Sequence, residues 1–136
     1  MCLNRIDPEK KNAFRRDANG DIICWGLFAL IDGRPYPWFR KRIHTTGFVP
    51  GEWYTARPAQ VTWVRGTYPA GFHRISDRKK AKKIMNAVVG TNDDTTPLVL
   101  LECRVRGARV FGVQHMRGID ATIVVGDEMK IVEGEP

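Results

Sequence analysis

The sequence predicts an α+β fold, a single small domain with an antiparallel or mixed β-sheet and one main helix packed on it. Three observations carry this expectation. Runs rich in β-branched and aromatic residues recur at strand length, bounded by glycine, proline, asparagine and aspartate. One stretch repeats its apolar residues with helical period. The chain of 136 residues, 43% apolar and 27% charged, has the size and composition of one globular domain.

Taken in order, residues 1–20 are polar and end in Asn19-Gly20, a turn signal, so a flexible N-terminal arm is expected before a domain over residues 21–133. Asp21–Ile31 is nearly all apolar and contains Gly26, which favours a buried strand over a helix; Asp32-Gly33 closes it as a turn. Residues 34–72 carry a proline or glycine every few positions, so no helix fits there. Short strands are expected at Trp38–His44, Glu52–Ala56 and Val61–Val64.

The helix is expected at about residues 76–89. Ser76 stands as N-cap, and Asp77 places a negative charge in the first turn. Ala81, Ile84, Met85 and Val88 then form one apolar stripe at i, i+3, i+4 and i+7. Gly90 is the stop. Arg78, Lys79, Lys80, Lys82 and Lys83 decorate the other side. Beyond the helix, strands are expected at Leu98–Val105 and Val110–Gln114 around a Gly107 turn. Two more follow at Ala121–Val125 and Met129–Val132, around a turn at Gly126-Asp127-Glu128.

Several function classes lack their signals. No apolar run approaches the ~20 residues of a membrane span, and residues 1–16 have no signal-peptide core. Three cysteines, Cys2, Cys24 and Cys103, are too few and too widely spaced for a disulfide scaffold, which points to a reducing, cytoplasmic setting. With His44, His73 and His115 they form no close-spaced ligand pair, so no metal and no cofactor is expected. The glycines at 66 and 71 lack the Lys-Ser/Thr of a phosphate loop.

The charge is concentrated. Of a net +7, residues 34–83 hold twelve Lys/Arg against two acids, a local +10. Aromatic residues are interleaved with them. Cations neutralise phosphates and aromatic faces stack on bases, so this mixture suits nucleic acid, a nucleotide or an acidic protein surface. The binding candidates are Arg40, Lys41, Arg42, Trp53, Tyr54, His73, Arg74, Lys79, Lys80 and Lys83. His73 and Arg74 stand out because Gly71-Phe72-His73-Arg74 leads into the helix, where free N–H groups could seat an anion. The competing reading puts the aromatics in the core and the cations on a solvated face. A small enzyme using Cys2 or His73 is a further alternative; no residue is assigned a catalytic role.

Short motifs add a resemblance. Met1-Cys2-Leu3, Asp21-Ile22-Ile23-Cys24-Trp25, Gly71-Phe72-His73 before a helix containing Ala81, Val99-Leu100-Leu101-Glu102-Cys103 and Met129-Lys130-Ile131 occur together. With these the chain resembles a family of small uncharacterised proteins of bacteriophages and bacterial mobile elements, over about residues 21–132. It departs from that pattern in its many cations around the helix and in residues 43–68, which have no counterpart. The resemblance implies a phage-encoded accessory protein in the host cytoplasm and no catalytic residues. It would be a non-enzymatic inhibitor of a bacterial defence system, anti-CRISPR-like or nucleotide-sequestering, with a host defence protein, nucleic acid or nucleotide as partner. A nucleic-acid-binding regulator is the alternative within the same chemistry.

Overall fold

The computed structural model describes residues 3–37, 47–56, 60–63, 66–69, 71–91 and 97–133. The strands, in chain order, are β1 (Arg5–Ile6), β2 (Arg15–Arg16), β3 (Ile22–Ile31), β4 (Arg34–Pro37), β5 (Trp53–Thr55), β6 (Gln60–Trp63), β7 (Gly66–Pro69), β8 (Phe72–Ile75), β9 (Leu98–Met116) and β10 (Ile119–Ile131). A 3₁₀ segment spans Pro8–Ala13, and the α-helix α1 spans Arg78–Thr91. Every pairing among the described residues is antiparallel. The fold is a small, sheet-rich single domain. No helix among the described residues is long and apolar enough to cross a membrane.

The main sheet closes on itself. β9 pairs with β10 along one edge and with β3 along the other; β10 pairs with β8, and β8 returns to β3 through the single pair Trp25↔Ile75. Two apolar clusters follow from this ring. Ile22, Cys24, Phe28, Cys103, Val105, Val124, Met129 and Ile131 form one, closed over by Phe48. Leu27, Ile75, Ala121, Ile123 and Val125 form the other, and on it α1 lays Ala81, Ile84 and Val88. The stripe read from the sequence is therefore the buried face of the helix.

Three expectations need correction. The N-terminal residues are not a loose arm. β1 pairs with Val113 and Gly112, β2 pairs with β3, and Leu3 is 2% exposed. Strands do not require an apolar sequence when only one face is covered. The cap of α1 is Asp77 rather than Ser76: its carboxylate accepts the Lys79 N–H at 2.9 Å and its carbonyl accepts the Ala81 N–H. The predicted breaks in the last third are absent. β9 runs unbroken through Gly107 and β10 through Gly126-Asp127-Glu128, and the turn joining them is Arg117-Gly118, both at positive φ. The expected strand at Trp38–His44 lies outside the described residues.

Gly107 and Gly126 serve a slip in register instead of turns. Val125 faces Val110 but Gly126 faces Ala108, so Arg109 is the extra residue of a bulge. Asp127 accepts a hydrogen bond from Arg109 at 2.5 Å across it. A Cβ on Gly126 would fall inside the van der Waals shell of the Val105 side chain. Gly126→Ala should therefore destabilise the protein by about 1–3 kcal/mol, as overpacking does, measured by urea unfolding. In the same assay Ile84→Ala should cost about 2–5 kcal/mol, whereas Lys82→Ala should change stability by less than about 0.5 kcal/mol.

Candidate polyanion-binding surface

The stripe that buries Ala81, Ile84 and Val88 turns the rest of α1 outward. Arg78, Lys79, Lys80, Lys82 and Lys83 are all exposed. Arg78 lies over the Trp25 ring, 5.7 Å from its centroid, and Lys80 donates to the Asp120 carbonyl at 3.2 Å. Among the described residues no carboxylate pairs with Lys79, Lys82 or Lys83. They stand three and four positions apart, so they share one side of the helix. Three of the sequence candidates, Lys79, Lys80 and Lys83, thus belong to one basic ridge. Arg40, Lys41 and Arg42 lie outside the described residues.

The remaining candidates are drawn into the structure itself. Trp53 already carries two cations against its ring: the Arg106 guanidinium sits 3.9 Å from its centroid and the Lys130 ammonium 5.1 Å. Arg106 is held there by a two-pronged pair with the buried Asp21, at 2.7 and 3.2 Å. Tyr54 packs edge-on against Phe48, and its hydroxyl accepts the Val49 N–H at 2.7 Å. A base-stacking role for either residue would require displacing these partners. The two residues expected as a stacking platform are thus already in contact with other parts of the chain.

His73 and Arg74 are neighbours on β8 and point to opposite faces of the sheet. The His73 Nδ1 lies 3.1 Å from the Gly71 carbonyl, which can only accept, so Nδ1 carries the proton and donates. Its Nε2 then accepts from the Tyr68 hydroxyl at 2.9 Å, and that oxygen accepts the Leu3 N–H at 3.0 Å. Burial pushes the His73 imidazole down to about 4. The ring is neutral at physiological pH and both nitrogens are engaged, Nδ1 with Gly71 and Nε2 in the relay through Tyr68 that holds the N-terminal segment.

Arg74 enters the ring of strands. Its guanidinium lies 5.0 Å from the Phe28 centroid and 5.7 Å from that of Phe72. Its Nε donates to the Met129 sulfur at 2.9 Å, and one Nη donates to the His73 carbonyl at 2.7 Å. The anion seat expected at Gly71–Arg74 is corrected: Arg74 points to the interior, away from the helix entrance. The thiols nearby are inert. Cys24 and Cys103 face each other across β3 and β9, and burial raises Cys24 well above the usual thiol range and Cys103 to about 11. Cys2 lies outside the described residues.

A second surface feature escaped sequence reasoning. A groove of about 580 Å³ runs beside the start of α1, lined by Trp25, Arg78, Leu100, Leu101, Ile131 and Val132, among others. In the sequence Trp25 reads as one more core residue of an apolar strand. The groove exists because β10 ends at Ile131 while β9 begins five residues before its partner Cys103. Strand ends paired at such distance leave no local signal.

Comparison with protein-family models, curated proteins and solved structures returns no match.

The His73 arrangement has a pH consequence. Its folded-state value of about 4 lies below the ordinary imidazole value of 6.5. The unfolded chain therefore binds the proton more readily, and the stability due to the neutral ring is complete above pH 6.5 and lost as pH falls towards 4. The loss from this one group should approach about 3 kcal/mol. Urea unfolding between pH 7 and 4 should show a steeper decline in the native protein than in His73→Asn. Equal slopes would place the titration elsewhere.

Proposed function

We propose that the protein is a non-enzymatic binding protein that engages a polyanion through the basic outer face of α1. The observation that supports this most is the row Lys79, Lys82 and Lys83, exposed and unpaired with any carboxylate among the described residues. A row along a helix suits successive phosphates of a strand better than a single nucleotide, which takes a pocket. With Trp53 and Tyr54 engaged by their own neighbours, the contacts are to phosphates and the affinity depends little on base sequence. In the phage or mobile-element setting implied by the motifs, the protein acts in the host cytoplasm. There the polyanion is nucleic acid used by a defence complex, and masking it is the inhibitory act.

A mixed-sequence single-stranded oligonucleotide tests this reading by fluorescence anisotropy. The plot of log affinity against log salt should be linear, with a slope near −2 for three phosphate contacts at ~0.7 each. Reversing Lys79, Lys82 and Lys83 to Glu should abolish binding and leave the melting temperature nearly unchanged, because exposed charges contribute little to stability. Trp53→Ala should leave the salt slope intact. Binding that survives the triple reversal, or that is insensitive to salt, would defeat the reading.

A further inference from the structure

We propose that the ring of strands holds one soft monovalent metal ion, copper(I) in a reducing cell, between the thiolates of Cys24 and Cys103 and the thioether of Met129. This site lies inside the sheet, away from the outer face of α1, and stands or falls without the lysine row.

Register supplies the first argument. Cys24 and Cys103 are directly opposed on β3 and β9, and both belong to the inward-facing cluster. Directly opposed side chains on one face start about 4.5–5.5 Å apart at Cβ, which lets two sulfurs flank one ion. On β10, Ile131 opposes Cys103, and Met129 is the neighbouring residue on the same face. Sulfurs from adjacent strands thus converge. No close-spaced motif announces the set, because 79 residues separate the two cysteines.

Arg74 supplies the second argument. Its Nε donates to the Met129 sulfur at 2.9 Å, and its charge acts on both thiols. Gly26, the next inward position after Cys24, leaves the room that Arg74 occupies: a Cβ there would meet the Arg74 Cδ and Nε at 3.0 Å. Ile22, Phe28, Val105, Val124 and Ile131 make the rest of the surroundings apolar, so net charge decides which ion fits. Two thiolates, one guanidinium and a monovalent cation sum to zero. A divalent ion would leave a buried positive charge uncompensated. Thiolate and thioether donors also select copper(I) by softness. On binding, each thiol gives its proton to solvent and its sulfur lone pair to the ion; no electron is transferred. The wall of the ring is thinnest where β3 meets β8 by the single pair Trp25↔Ile75. A gap of about 30 Å³ there is lined by Gly26 and Arg74, and it is the way in.

The probe is copper(I), supplied without oxygen from a coloured chelate to the reduced full chain carrying Cys2→Ala. The chelate should lose one equivalent of copper per chain, with release of two protons and a rise in melting temperature. Zinc at the same concentration should give no such rise. X-ray absorption of the loaded protein should show sulfur neighbours alone around the copper. This spectrum is taken on a chain whose ring is unaltered, so it decides even where a core variant fails to fold. Cys24→Ser and Cys103→Ser should each weaken copper binding by at least about a hundredfold, and Met129→Leu by about tenfold. No uptake by the folded Cys2→Ala chain would overturn the proposal. So would nitrogen or oxygen neighbours around the copper, zinc binding as tight as copper binding, or copper binding that survives either serine.

Discussion

A strand of 19 residues cannot stay flat. Twist accumulates along it at every residue, and β9 relieves the twist by changing partners. Its first eight residues pair with β3 and its last fourteen with β10, so that Cys103–Val105 are bonded on both sides. This overlap brings β3 and β10 around the same axis and lets β8 bridge them with one pair, Trp25↔Ile75. The rest depends on that closure. It creates an inside for Cys24, Cys103 and Phe28 and an outer face on which α1 can lie. The bulge at Arg109 supplies the extra bend, and Gly126 is there because any side chain would strike Val105 where the two strands cross.

The closed ring explains why an arginine and a histidine sit where they do. Taking a guanidinium partly out of water is costly unless other groups replace its hydration. Arg74 replaces it with two aromatic faces, a carbonyl and a thioether. Its aliphatic stem packs close to Gly26, the glycine in the middle of β3. On the opposite face His73 works as a relay of hydrogen bonds from Gly71 through Tyr68 to Leu3. It ties the N-terminal segment to the sheet. A polar stretch with no apolar periodicity is thereby ordered by partners some 65 residues away in sequence.

These two residues mark the limit of what was legible. Local signals served well where a local cause acts. The i, i+3, i+4, i+7 stripe found α1 and its buried residues. Asp32-Gly33 was read as a turn, and it is one, with both residues at positive φ. Signals failed where a glycine answers to a distant strand. Gly107 and Gly126 look like turn residues, and the chain passes straight through both because their small size is needed for the bulge. The basic-aromatic pattern failed in a related way. Interleaved cations and rings are what a nucleic-acid groove needs, but they are also what internal cation–π pairing needs. Arg106 on Trp53 and Arg74 on Phe28 show the second use. Sequence alone does not distinguish a ring waiting for a base from one already covered by an arginine.

What remains after those internal pairings is a division of labour on the surface. The lysines of α1 face solvent on one side of the helix, while Arg78, one residue into it, bends over Trp25 and borders the groove. The two features thus meet at the start of α1 and obey different physics. Attraction to the lysine row is long-ranged and falls with salt, because it depends on releasing counterions. Packing against Trp25 and Leu100 in the groove would be short-ranged and depend on shape, with only a contact to Arg78 sensitive to ionic strength. A partner that used both would be drawn in by charge and fixed by close packing. Its association rate would fall with salt while its dissociation rate changed little, which is the kinetic mark of steering followed by close docking.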